Sequence, residues 1–452
     1  MSPHPLEGVV RVRVDAEARE VWGGDRTTSF AVAPGAIAFP ESTEDVVRVV
    51  ETARKHGLHL VPSGGRTGLS GGAVAGNGEV VLSMDRMNRI LQFNPTDRLV
   101  TCQAGVITQV LQEYAAERGL FYPVDFASAG SSQIGGNIAT NAGGIKVIRY
   151  GMTRDWVAGL TVVTGAGEVL ELNSGLIKNN TGYDLRHLFV GSEGTLGVIV
   201  EAQMRLDAPP EEQRVMVLGV RSLVDVLAVL ERVSAGVQLS AFEFFSQLCL
   251  DKVVAHRSVP RPLSEDAPFY ALIEFDGDAE PLVLDTFVAM AAEGLVTDGV
   301  LSQSEAQAAS LWHLREAISE SLAPEKPYKN DVSVCIQDVP EFLEGVDRLV
   351  SDRYPDLEVA WYGHIGDGNL HLNILKPAGL SEAAFYERCH AISPDLFSLV
   401  RRYRGSVSAE HGVGLLKRDF LAYSRSEAEI QAMRGIKQVF DPDGIMNPGK
   451  LL

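Results

Sequence analysis

The chain has 452 residues, 45% apolar and 22% charged. This composition excludes extensive disorder and, at about 150 residues per domain, implies two or three folded domains. Forty basic against 59 acidic side chains leave a formal charge of −19, which repels phosphate backbones and anionic lipid, so an anionic ligand needs a locally basic pocket and a nucleic-acid partner is not expected. There is no run of about 18 apolar residues for a transmembrane segment and no basic-then-apolar leader at the N-terminus. The four cysteines (Cys102, Cys249, Cys335, Cys389) form no CxxC, and the expectation is a cytoplasmic protein with reduced core thiols.

In chain order, Ser42-Thr-Glu-Asp45 caps a helix whose Val46, Val47, Val49, Val50 and Ala53 fall at helical spacing, and Gly57 stops it. A short buried strand over 58–61 leads straight into a glycine cluster. Further strands are predicted at 80–82 and 99–102, and a helix at 108–118 ended by Gly119. A hairpin is predicted from 157–164 and 169–172, turning on Gly165-Ala-Gly167. Asp207-Ala-Pro-Pro-Glu-Glu212 breaks the pattern. Near the end, Ser426-Glu-Ala-Glu429 caps a helix to about residue 439, before the Gly/Pro-rich close Asp441–Gly449. The working division is a first domain over 1–207, a second over 208–430, and a tail over 431–452 that returns to the first.

Two glycine clusters carry the first chemistry. Pro62–Gly72 packs five glycines into eleven residues, where close backbone approach and positive φ let successive N–H groups converge on an anion such as a diphosphate. The stretch Gly130–Gly144, rich in small and amide side chains, suits a backbone lying against a flat hydrogen-bonding ring. Together they imply a dinucleotide. Neither holds G-x-G-x-x-G or G-x-x-x-x-G-K-[ST], which disfavours a nicotinamide Rossmann site and a P-loop. A third string, Gly191–Gly197, is expected to be only a turn into the strand 198–200.

The second domain carries the sharper motifs. Tyr362-Gly-His-Ile-Gly-Asp-Gly-Asn-Leu-His-Leu-Asn373 sets two histidines seven apart across a Gly-Asp-Gly turn, so that flanking strands would bring His364 and His371 together, with His371 and Asn373 on one face. Glu410 and His411 stand adjacent in Ser408-Ala-Glu-His-Gly. Two imidazoles and a carboxylate are the donor set of a catalytic divalent metal, zinc or Mn²⁺, and the candidate ligands are His364, His371 and Glu410. His411 remains as an acid/base. Arg315 and Ser319, four apart on a helix, and Lys329 beyond them could form the basic pocket for a carboxylate.

In this order, P-S-G-G-R-T-G, I-G-G-N-I-A-T-N-A-G-G, Y-G-H-I-G-D-G-N-L-H-L-N and S-A-E-H-G resemble the FAD-linked D-2-hydroxyacid dehydrogenases, vanillyl-alcohol-oxidase-type flavoproteins that include the D-lactate and D-2-hydroxyglutarate enzymes. The resemblance runs from about residue 35 to the C-terminus. It implies an α+β fold, a two-domain arrangement of an FAD-binding domain with an antiparallel-sheet cap domain carrying helices. FAD would be held by Ser63, Gly64, Gly65, Arg66, Thr67, Gly68 and Ser70 around the diphosphate. Gly135, Gly136, Asn141, Gly143, Gly144, Tyr150, Gly151, Ile199 and Asn447 would line the rest. Arg66 and Thr67 stand where some relatives carry a flavin-linking histidine, so the flavin is expected to be non-covalent. The match is nearest the metal-dependent D-2-hydroxyglutarate dehydrogenases. It makes His364, His371 and Glu410 zinc ligands, Asn373 and His411 groups at the substrate hydroxyl, and Arg315, Lys329 and Ser319 carboxylate binders, Ser319 standing where a threonine is usual. The implied reaction oxidises a D-2-hydroxy acid, first of all D-2-hydroxyglutarate, with hydride passing to flavin N5 and His411 as base. D-lactate, D-malate and a glycolate-oxidase-type subunit are the alternatives. Electron-transfer flavoprotein or a quinone is the implied acceptor, and a homodimer is compatible with the family.

Overall fold

The computed structural model describes residues 4–452. Its local structure follows from strong punctuation in the sequence. Ser42 accepts the Asp45 N–H, and the helix Thr43–His56 buries Val46, Val49, Val50 and Ala53. Gly57 ends it at φ 63°, a left-handed conformation that favours glycine. The predicted hairpin forms as strands Val157–Thr164 and Val169–Leu172. The C-terminal helix spans Glu427–Phe440 with the Ser426/Glu429 capping box in place. The strand expected at 58–61 lies at Leu60–Ser63 instead, because Leu58 N–H is used to close the preceding helix on Ala53. The helix from Thr108 stops at Ala116, short of 118.

The chain divides into two compact units. The first comprises the chain up to Gly144, Gly151–Pro209 and Glu410–Leu452; the second comprises Ile145–Tyr150 and Pro210–Ala409. In the first unit, strands β1 (Arg11–Arg13), β2 (Ala36–Phe39), β3 (Leu60–Ser63) and β4 (Val80–Ser83) form a mixed sheet in the order β1-β2-β4-β3. A second, wholly antiparallel sheet takes β5 (Ile90–Asn94), β6 (Leu99–Gln103), β7 (Val157–Thr164), β8 (Val169–Leu172) and β9 (Gly197–Arg205) in the order β5-β6-β9-β7-β8. One core, including Val46, Leu82, Val100, Ile134, Ile138, Val162 and Val200, joins the helix Thr43–His56 and the helix Ile134–Thr140 to these sheets.

The second unit is built on one seven-stranded antiparallel sheet. Strands β10 (Gln213–Val220), β11 (Leu239–Ser246), β12 (Phe269–Asp276), β13 (Asp298–Leu301), β14 (Tyr328–Ser333), β15 (Glu358–Gly363) and β16 (Asn369–Leu375) run in the order β13-β10-β12-β11-β15-β16-β14. Phe245, Leu250, Tyr270, Leu272, Trp312, Leu314, Ile318 and Tyr362 form its core with the helices Gln247–Arg257 and Glu305–Glu316.

The units depart from the 1–207, 208–430 and 431–452 division in two ways. Residues 145–150 join the second unit, held by Lys146 on Glu274 at 2.8 Å and Arg149 on Asp276 at 2.8 Å. The return to the first unit begins at Glu410, because the Val413 and Gly414 N–H groups donate to the Glu193 carboxylate at 2.7 Å each. Cys102, Cys249 and Cys389 are buried thiols as expected, whereas Cys335 is exposed. No helix among the described residues is long and apolar enough to cross a membrane.

Candidate active site

A cavity in the first unit is walled by the two glycine clusters. Its lining includes Ser63 at the end of β3, Gly64, Gly65, Arg66, Thr67, Gly68 and Ser70 from the loop that follows, and Gln133, Gly135, Gly136, Asn137 and Thr140 from the N-cap and body of the helix Ile134–Thr140. Two glycines have different reasons to be glycine. A Cβ on Gly65 would lie 2.1 Å from the Ser131 carbonyl oxygen, so the two loops can touch only without one. A Cβ on Gly136 would meet nothing within 4 Å and would project into open space. Arg66 takes φ 58°, a left-handed turn that a non-glycine residue adopts at some cost. Asp85 fastens the loops together. Its carboxylate accepts from Gln133 Nε2 at 2.8 Å, Trp22 Nε1 at 2.6 Å and Arg66 Nη1 at 3.2 Å.

The residues present fit a flavin dinucleotide. The cavity is floored by glycine backbone, and Ser63 Oγ and Gln133 Oε1 are buried in its wall with no hydrogen-bond partner among the described residues. Buried polar atoms of that kind are normally satisfied, and a ligand in the cavity would satisfy them.

The third glycine string is more than the turn it was expected to be. Ser192, Glu193, Gly194, Gly197 and Ile199 all line the cavity. Burial pushes the Glu193 carboxyl up to about 7, against the downward pull of the two N–H donors. Asp25, Met84, Asn137 and Thr140 also line it and carried no signal in the sequence beyond their neighbourhood. Conversely, Asn141, Gly143, Gly144, Tyr150, Gly151 and Asn447 are not among the lining residues. Asn141 is the left-handed C-cap of the helix at φ 52°. A Cβ on Gly144 would strike the Asp125 carbonyl oxygen at 2.1 Å, and one on Gly151 the Asp155 carboxylate at 2.3 Å. Tyr150 ends the segment that belongs to the second unit. Asn447 acts from behind, its Nδ2 donating to the carbonyls of Gly72 at 2.9 Å and Glu193 at 2.6 Å.

The second unit assembles the histidine motif on neighbouring strands. Strands β15 and β16 pair with Tyr362 opposite His371, and the Gly-Asp-Gly turn between them is a single 3₁₀ turn, Ile365–Asp367. Gly368 closes it at φ 81°. The turn leaves the His364 and His371 rings 5.1 Å apart, centroid to centroid. On the other side of β16, strand β14 sets Asp331 opposite His371 and Lys329 opposite Asn373. These four residues share a face, as the two-residue period requires.

Each imidazole has a buried carboxylate behind it. His364 Nδ1 lies 2.7 Å from Glu243 Oε1, and His371 Nδ1 lies 3.6 Å from Asp331 Oδ1. Asp331 also accepts the Ala409 N–H at 3.1 Å, fixing the residue that precedes Glu410. Two neighbouring imidazoles, each backed by a carboxylate, are donors that suit a divalent cation. His411 Nε2 is 3.5 Å from Glu410 Oε1.

The carboxylate-binding candidates divide. Lys329 Nζ donates to Ser319 Oγ at 3.0 Å, and the surrounding protein partly desolvates the ammonium and lowers its pKa. Asn373 is buried, donates to the His371 carbonyl at 3.2 Å, and has no partner for Oδ1 among the described residues. Arg315 is buried rather than on a solvated helix face. Its Nε donates to Glu243 Oε2 at 2.8 Å and its guanidinium carbon stands 4.7 Å above the Tyr362 ring. The helix carrying it ends at Glu316, and Ser319 falls in a separate turn, Ile318–Ser321. Glu243 was missed in the sequence; its signal is a lone charge inside the apolar strand Leu239–Ser246.

This is the architecture of the vanillyl-alcohol-oxidase-type flavoproteins. The structure matches that of p-cresol methylhydroxylase with a TM-score of 0.77, over 99% of this chain and 95% of that one, at 15% identity, which is a likeness of fold alone. The family model for an FAD binding domain matches residues 34–173, and that for the C-terminal domain of FAD linked oxidases matches 209–451. A D-2-hydroxyglutarate dehydrogenase of Stutzerimonas stutzeri (strain A1501) is 56% identical over 444 residues, 98% of this chain and 96% of the relative. The mitochondrial D-2-hydroxyglutarate dehydrogenase of Bos taurus is 40% identical, over 99% of this chain and 82% of its own. The chain therefore belongs to the FAD-linked D-2-hydroxyacid dehydrogenases.

Proposed function

We propose that the protein oxidises D-2-hydroxyglutarate to the 2-oxo acid, using non-covalently held FAD and a divalent metal, zinc first. The names of its relatives support the substrate. The observation that carries the reading within the family is the Lys329–Ser319 pair lying opposite Asn373, across from the histidine strand. A second, distal carboxylate is what such a pair would bind, and lactate has none.

Bound FAD would supply the two-electron oxidant for the C2 hydride, and a metal on His364, His371 and Glu410 would supply Lewis acidity at the hydroxyl. The chain's own residues do the rest. His411 takes the hydroxyl proton as the C2–O bond becomes a carbonyl. Asn373 orients the hydroxyl end through its unpaired Oδ1. Lys329 and Ser319 hold the distal carboxylate, and Arg315 contributes positive charge from its stacked position on Tyr362. The electrons then leave for an acceptor of the electron-transfer-flavoprotein or quinone class.

The test is an anaerobic titration of the purified protein with D-2-hydroxyglutarate, D-malate, D-lactate and their L forms. Bleaching of the flavin band by D acids, strongest with D-2-hydroxyglutarate and abolished by a chelator, is expected. Preferential bleaching by D-lactate would overturn the distal-carboxylate reading, and indifference to the chelator would remove the metal.

A further inference from the structure

Strand β11 reads Leu-Ser-Ala-Phe-Glu-Phe-Phe-Ser, and every residue from Leu239 to Phe245 is buried. A carboxylate in that run would be expensive without charged partners. Glu243, 1% exposed, has two. Strand β11 pairs with β15 through Phe244 opposite Gly363 and Phe245 opposite Tyr362. Continuing that register by one residue brings Glu243 beside His364. One oxygen, Oε1, lies 2.7 Å from His364 Nδ1; the other, Oε2, lies 2.8 Å from both Arg315 Nε and Nη2.

A carboxylate ion-paired with the Arg315 guanidinium is an acceptor, so Nδ1 is the His364 nitrogen that Glu243 engages. Nε2 is then the nitrogen that would meet a ligand. The same carboxylate accepts from Arg315 Nε and lies within ion-pair range of Nη2, so Glu243 and the Tyr362 ring set how this guanidinium is presented to a substrate. We propose that Glu243 is a positioning residue that links the metal-binding imidazole of His364 to the substrate-binding guanidinium of Arg315. One buried carboxylate thereby sets both metal affinity and KM. This rests on the proposed function above and names a residue that neither touches substrate nor ligates metal.

The experiment compares FAD-loaded wild-type enzyme with Glu243→Gln and Glu243→Asp, with His364→Ala as control. Three quantities are read: zinc affinity by competition with a chromogenic chelator, KM and kcat for D-2-hydroxyglutarate, and flavin content. Glu243→Gln should lower zinc affinity about 10–100-fold, the range for a lost outer carboxylate. It should raise KM about tenfold, with flavin content unchanged. Glu243→Asp, which keeps the charge, should recover part of both losses. Zinc affinity within twofold of wild type, or an unchanged KM, in a folded Glu243→Gln protein overturns the coupling. So does joint loss of flavin and secondary structure in both variants, which would make Glu243 a fold residue only. If His364→Ala loses zinc while Glu243→Gln keeps it, the coupling alone fails. If the wild type takes up no zinc, the metal reading fails and takes the coupling with it.

Discussion

His411 is the residue on which the chemistry of proton removal depends in this reading. A positioned general base contributes about 10²–10⁴-fold, so His411→Ala should lower kcat at least about 100-fold while the flavin spectrum stays that of the wild type. Steady-state turnover and flavin absorbance on one preparation check both halves. Glu193 makes a different kind of prediction. Burial holds its carboxyl up to about 7, whereas an exposed glutamate has an ordinary value of 4.5. Between those values the unfolded chain releases a proton that the folded chain keeps, so this group's contribution to stability falls as pH rises from about 4.5 to about 7. Glu193→Gln should remove that slope. The Tm of wild type relative to the variant should drop across this window, and parallel Tm profiles would contradict the assignment. At this scale residue type in the sequence singles out candidates, as with His364, His371, Glu410 and Lys329, and the fold sets the two histidine rings 5.1 Å apart. The sequence was not legible for Glu243 and Glu193, whose roles come from what folding brings against them. Val413 and Gly414 are more than 200 positions from Glu193, and no local pattern announces their N–H groups.

Elements were easier to foresee than their uses. Capping serines and stop glycines located the helices Thr43–His56 and Glu427–Phe440, because capping is a local hydrogen-bond problem solved within a few residues. The glycine strings were visible as strings, but sequence could not tell crowding from cavity. Gly65 is glycine because Ser131 is too close, Gly136 is free to bear a side chain that only a ligand would oppose, and Gly144 is glycine because Asp125 crosses it. That distinction can be tested. Gly136→Val adds bulk into the FAD cavity while removing a glycine from a helix, so the fold should survive and FAD content should fall at least about tenfold. Gly65→Ala instead drives Ser131 away from the loop, and should cost both FAD and thermal stability, by roughly 1–3 kcal/mol for a strained contact of this kind. Absorbance at the flavin band and Tm on the two proteins separate the cases. Equal losses of Tm in both would mean that Gly136 also sits in a packed place.

For the whole molecule, the relevant quantity is the charge of −19. The proposed substrate is a dianion, and at low salt the approach of one anion to such a surface is opposed over a Debye length of about 30 Å at 0.01 M, shrinking to about 8 Å at physiological ionic strength. Lys329 and Arg315 act only at close range, and Arg315 is already paired with Glu243, so the long-range field keeps the sign of the net charge. Adding salt should therefore speed encounter more than it weakens the bound state. The expectation is that kcat/KM for D-2-hydroxyglutarate rises as ionic strength goes from about 0.01 to 0.15 M, the opposite of a protein that steers its anionic substrate in. D-lactate, with one charge, should show the weaker rise, since the work of approach scales with ligand charge. Rates measured for both acids over a series of chloride concentrations at fixed pH decide it. A fall in kcat/KM with salt, steeper for the dianion, would mean that the basic groups around Lys329 govern the field outside the site despite the acidic surface.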